Sequence, residues 1–173
     1  MKHAWAVLAA VLLGAAAPAD TFDRVANALA AGLAADRAHD AAGRARAADT
    51  LAAEGAEPLP GSRDLARLWS RPGGELPYRD RALGPGYRVM RLAGGETARL
   101  QQTFLAGRQA RVLAFSPEAA TFSLTVQDDD GARPCAGGPT RAECAWLPVY
   151  TARITISLAN HAQRAGDFLL LVR

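Results

Sequence analysis

The chain has 173 residues, of which 50% are hydrophobic and 6% aromatic, and a formal net charge of +3. That length suits one compact domain with an accessory helical region. Lys2 is the sole lysine, and the arginines are interspersed with Asp and Glu, so the clustered cations and stacking aromatics of a nucleic-acid surface are missing from the sequence.

Residues 1–19 have the anatomy of a signal peptide. Lys2 and His3 make a short positive start, and WAVLAAVLLGAAA is an apolar run too short for a typical membrane span. Ala17-Pro18-Ala19 places small residues at the cleavage positions, so the mature chain is expected to start at Asp20. An uncleaved N-terminal anchor is the alternative. Cleavage would make the protein periplasmic or secreted, with no stable membrane span left.

Residues 20–76 are expected to form a helical region ending in a linker. Phe22, Val25, Leu29 and Leu33 recur at helical spacing, and Asp20 or Thr21 can cap the start. Beyond Leu33 the stripe fades into alanines as far as Leu51, and Gly43 is the expected break between two helices. The helices either lie against the following domain or form an arm for a partner. GAEPLPG at 55–61 is a breaker cluster. Ser62 is expected to cap a short helix carrying Leu65, Leu68 and Trp69 on one side. Arg71-Pro72-Gly73-Gly74 ends it, and residues 77–86 form a loop.

Near Tyr87 the period changes from helical to two. Tyr87–Leu92, Thr97–Phe104, Gln109–Phe115, Thr121–Asp128 and Ala152–Ala159 read as strands separated by turn signals. Inward positions include Met90, Leu92, Leu100, Phe104, Phe122, Leu124, Val126, Ile154, Ile156 and Leu158. A short strand at Ala145–Val149 carries Trp146. Asp167–Arg173 is apolar on both faces, as a central or covered strand should be. About seven strands over 77–173 predict a mainly β domain, a jelly-roll-like antiparallel β-sandwich, preceded by the Ala-rich helices.

Cys135 and Cys144 are the only cysteines, and both fall in one expected loop. In an oxidising compartment a lone close pair is most simply a disulfide. Zinc needs about four ligands, and no histidine lies between them. The spacing is not that of a C-x-x-C redox pair.

Gly107 ahead of a strand, FSLTVQDDDG at 122–131 and the closing GDFLLLV at 166–172 resemble the bacterial pre-peptidase C-terminal domain. In that family a strand enters an Asp-rich turn ending in Gly, and the domain closes on G-x-Y-x-L-x-V. The resemblance covers Gly86 to Arg173, about half of the chain. It implies a jelly-roll-like sandwich of the kind found in secreted proteins, usually joined to a peptidase. Phe168 stands where Tyr is usual, no peptidase part accompanies it in this sequence, and the cysteine pair with Trp146 looks like a subgroup feature.

Catalytic chemistry finds little support. The histidines are His3, His39 and His161, and no G-x-S-x-G elbow, P-loop or dinucleotide fingerprint occurs. Asp128, Asp129 and Asp130 precede Gly131. Either they form a solvated β-turn, or Asp128 and Asp130 with backbone carbonyls hold calcium. Otherwise no cofactor is expected. The reading is a non-enzymatic binding module of the cell envelope, with an unidentified protein or envelope ligand as partner. The alternatives are an accessory protein acting with a secreted peptidase, and a small secreted hydrolase.

Overall fold

A computed structural model describes residues 20–70, 84–128 and 131–173. The expected signal peptide, the 76/77 domain boundary, the turn at residues 71–74, most of the 77–86 loop, and Asp129 and Asp130 lie outside the described residues.

Helices α1 (Thr21–Arg37) and α2 (Ala41–Ala53) open the described chain. Asp20 caps α1 by accepting a hydrogen bond from the Asp23 N–H at 2.9 Å. The break between the helices falls at residues 38–40, not at Gly43. His39 there takes a positive φ of 55°, and Asp40 restarts the helix by accepting from the Gly43 N–H at 2.9 Å. Gly43 is instead a point of close approach: a Cβ there would sit 2.5 Å from the Asp40 carboxylate and 2.8 Å from Ala35 Cβ. The helices run antiparallel, with Arg24 near the start of α1 bonded to Glu54 just past α2, Nη2 to Oε2 3.0 Å. Their alanines matter here. Ala26, Ala47 and Ala48 are buried beside Leu29 and Leu51, and small side chains let the helix axes approach closely.

Strand β1 (Glu57–Pro58) and helix α3 (Leu65–Trp69) follow. Asp64, not Ser62, caps α3, accepting from Arg67 N–H at 3.1 Å. Ser62 Oγ instead accepts from the Val89 N–H. Leu65 and Trp69 are buried, whereas Leu68, expected on the same side, is exposed; it lies about 100° round the helix from Trp69, at the edge of the apolar face.

The remaining strands are β2 (Gly86–Leu92), β3 (Thr97–Phe104), β4 (Ala110–Phe115), β5 (Phe122–Asp128), β6 (Gly131–Pro134), β7 (Ala136–Gly138), β8 (Arg141–Trp146), β9 (Ala152–Asn160) and β10 (Gly166–Val172). The expected count of seven is low, since β1, β6 and β7 are too short to show a period. They form two sheets, β1-β2-β10-β4-β8-β7 and β3-β9-β5-β6. All pairings are antiparallel except β1 with β2. The fold is therefore mainly β, a two-sheet sandwich with a helical layer on one side.

Two apolar layers follow from strand alternation. Phe168, Leu170 and Val172 of β10 face the second sheet, meeting Leu124, Ile156 and Leu158. Leu169 and Leu171 face the other way, onto Phe22, Leu29 and Leu51. Strands β2 and β4 divide similarly, with Tyr87, Leu113 and Phe115 beneath the helices. The expected apolarity of β10 on both faces thus has its cause in three stacked layers. The Tyr87 hydroxyl accepts from the Leu65 N–H at 2.8 Å and joins the sheet to α3.

The cysteine segment is strand, not loop. Strand β6 pairs with β5 in the second sheet, whereas β7 pairs with β8 in the first. Cys135 lies between them, where the chain changes sheets. Its bond to Cys144 on β8, Cα to Cα 4.7 Å, clasps the two sheets together.

Candidate binding site

Two turns meet at one end of the sandwich. The β3–β4 turn spans residues 105–109 and the β8–β9 turn spans 147–151. Gly107 has φ 70°, a conformation that suits glycine. Its N–H donates to the Pro148 carbonyl at 2.9 Å, and the Ala106 N–H donates to Thr151 Oγ1 at 3.1 Å. Beneath them Phe104 and Trp146 pack edge to face, centroids 4.9 Å apart, closing the core. With the core closed, the apolar residues beyond it have nowhere to go. Leu105 is 49% exposed, Leu147 64%, Val149 76% and Tyr150 79%. Sequence reading placed Val149 at the end of a strand, but the β8 ladder stops at Trp146, opposite Ala110.

An open cleft of about 1160 Å³ adjoins this end. Phe104, Ala110 and Val172 line its apolar part, and Arg108 and Arg173 its polar part. Among the described residues neither arginine forms an ion pair. Arg111, at the far side, is committed to the fold. Its Nη2 is 2.7 Å from Glu143 Oε1, its Nη1 bonds Asp20, and its guanidinium lies 4.3 Å over the Phe22 ring. Burial lowers the Arg111 pKa, but Glu143 and Asp20 more than offset this, so it stays raised above its ordinary value. The Asp20 carboxyl is held below its ordinary value by the Asp23 N–H, opposed by burial and helped by Arg111.

Asp128 lies elsewhere, at the end of β5. Asp128 forms an ion pair with Arg133 across the β5–β6 hairpin, where Asp128 stands opposite Gly131. That guanidinium competes for the carboxylate calcium would use. Among the described residues no three His, Cys, Asp or Glu side chains come together as metal ligands.

One contact escaped the sequence reading. His161 Nε2 lies 2.8 Å from Ser123 Oγ on exposed residues. They are 38 positions apart, and only the β5–β9 pairing brings them together. No described carboxylate bonds the His161 ring, so the described residues supply no orienting member of a triad.

No protein-family model matches the chain, and no curated protein matches it in sequence. Solved structures similar to it include the pre-peptidase C-terminal domain of a collagenase from Bacillus anthracis, 10% identical over 50% of this chain and 87% of that one, TM-score 0.45. Another is PliG from Aeromonas hydrophila, a periplasmic lysozyme inhibitor of g-type lysozyme, 13% identical over 68% of this chain and 93% of that one, TM-score 0.40. A third is a de novo designed double-stranded β-helix, 10% identical over 50% of this chain and 97% of that one, TM-score 0.33. The architecture described above rests on this chain's own strand pairing.

Proposed function

We infer that this protein is an exported, non-enzymatic binding module of the cell envelope, and that it binds through the end of the sandwich formed by residues 105–109 and 147–151. The carrying observation is the exposure of Leu105, Leu147, Val149 and Tyr150 on two hydrogen-bonded turns. Contiguous exposed apolar side chains mark interaction surfaces, and tyrosine is favoured at binding hot spots. Arg108 and Arg173 border the adjoining cleft, without an ion pair among the described residues. Val149→Asp combined with Tyr150→Ser should leave the melting temperature unchanged and abolish photo-crosslinking, from position 147, to envelope components. Undiminished crosslinking would remove this surface from consideration. Export is tested by intact mass, where a mature chain starting at Asp20 is expected.

A small hydrolase is the second reading, favoured only by the Ser123–His161 contact. Both residues are exposed on the sandwich, away from the cleft. Activated-ester turnover that disappears in Ser123→Ala would support it; equal background rates in parent and variant are the expected result.

A further inference from the structure

Beyond the loop-end reading, we propose that β3, whose outer edge is unpaired among the described residues, pairs with β3 of a second copy, making an antiparallel dimer with one continuous sheet. The other outermost strands are short: β1 has two residues, β6 four and β7 three. Strand β3 has eight, Thr97–Phe104, in unbroken register with β9. Its sequence holds no proline or lysine and its register no bulge, and Arg99 is its one charged side chain, so most of the devices that blunt an edge are absent from it.

The ladder identifies which backbone groups are free. The Asn160 N–H donates to the Glu96 carbonyl at 2.9 Å and the Asn160 carbonyl accepts from the Gly95 N–H at 3.0 Å, a bulge that starts the ladder. On the far side of β9 the His161 N–H donates to the Thr121 carbonyl, so odd residues of β9 form hydrogen-bonded pairs with β5 and even ones with β3. Such pairs alternate in an antiparallel ladder. Ala98, Leu100, Gln102 and Phe104 therefore bond to β9, while Thr97, Arg99, Gln101 and Thr103 turn their N–H and C=O outward. Those four side chains are exposed, and Leu100 is half-buried at the rim of the core.

The outward set is self-complementary. With a two-fold axis at Leu100, Thr97 stands opposite Thr103 of the second copy and Arg99 opposite Gln101. Every outward residue meets another, and each such pair can exchange two hydrogen bonds. Leu100 meets its own copy in a non-hydrogen-bonded pair, where side chains approach closest. A one-residue slip sets outward groups against inward ones. Centring on Arg99 would bring like charges face to face. The Leu100 register uses all four residues without charge conflict, as an isologous interface requires.

Sedimentation of the full exported chain should show a monomer–dimer equilibrium. Leu100→Cys should give a covalent dimer on a non-reducing gel, whereas Ala98→Cys, offset from its copy by four positions, should not. Gln101→Glu sets a carboxylate opposite Arg99 twice per dimer and should tighten it about three- to tenfold, and Gln101→Lys should loosen it similarly. Gln101→Pro should give a monomer with an intact fold, because that N–H is not used by β9. A parent protein that stays monomeric at all attainable concentrations overturns the proposal. So does a dimer that survives Gln101→Pro, or one that Leu100→Cys does not crosslink.

Discussion

The indole of Trp69 occupies the space a side chain on residue 32 would need. A Cβ at Gly32 would lie 2.2 Å from Trp69 Cζ3 and 2.6 Å from Cη2. Gly32 is thus a notch in α1 into which α3 inserts its only aromatic ring, and the ring is 4% exposed. Overpacking costs about 1–3 kcal/mol, against about 1 kcal/mol gained from replacing a helical glycine with alanine. At this overlap the steric cost should win, so Gly32→Ala should destabilise by about 1–2 kcal/mol in urea unfolding. In a Trp69→Leu background the same change should become neutral or stabilising. Equal effects in both backgrounds would show that the ring is not the obstacle.

Asn160 is 1% exposed and fully bonded. Its Nδ2 donates to the carbonyls of Leu92, Ala93 and Arg164 at 3.2, 2.9 and 3.0 Å, and its Oδ1 accepts from Ala162 N–H at 2.9 Å. It ties the β2–β3 turn, which joins the two sheets, to the β9–β10 turn. Asn160→Leu strands those carbonyls, and each buried unsatisfied group costs about 1–3 kcal/mol. A loss of about 3 kcal/mol or more is expected in denaturant titration. A loss below 1 kcal/mol would mean that water replaces the amide there.

Cys144→Ser should cost about 2–3 kcal/mol if loop-closure entropy dominates. The bond spans nine positions yet joins two sheets, so the loss should concentrate where β6 and β7 leave their sheets. Hydrogen exchange should speed up at residues 131–138 and stay slow in β10. Two free thiols in the denatured, unreduced parent protein would refute the bond.

Acid should weaken the attachment of α1. Asp20 is held below its ordinary pKa mainly by the Asp23 N–H, and Glu54 mainly by its hydrogen bond to Arg24. A depressed carboxylate stabilises the fold above its unfolded pKa, and that contribution is lost as pH falls through the folded value. Melting temperature should therefore drop below about pH 4. Asp20→Asn keeps a capping side chain but removes the charge facing Arg111. It should melt lower than the parent at pH 7, and the gap should narrow as pH falls below the ordinary carboxylate range. A gap that does not narrow with falling pH would indicate a cause other than the charge.

Calcium is expected to leave the melting temperature unchanged, because Arg133 already neutralises Asp128. By linkage a bound ion would raise it with concentration. A rise abolished by Asp128→Asn with Asp130→Asn would establish a site at the acidic turn.

Much of the sandwich was legible before any coordinates. Period-two alternation marks strands because side chains on a pleated chain alternate faces, so Phe122, Leu124 and Val126 declared their inward face without a partner in view. The double-sided apolarity read over Asp167–Arg173 likewise announced a covered strand, observed as Gly166–Val172. Asp20 advertised a helix start, since capping involves only residues within one turn. The cysteine pair could be read from spacing and compartment.

Strand order could not be read this way. Strand β10 pairs with β2 and β4, and Arg91 stands opposite Asp167 across 76 positions. Nothing local to either residue encodes that pairing, because many strands share one alternation and compete for the same neighbours. For the same reason only the tertiary structure revealed that the helices cover one sheet, that Cys135 sits where the chain changes sheets, and that Asn160 is buried. The exposed turn at 147–151 belongs to this class as well. Apolar sequence there reads as strand, and only the closure of the core beneath it by Phe104 and Trp146 leaves Val149 and Tyr150 in solvent. Local periodicity determined the elements, and long-range packing decided which surfaces they hide.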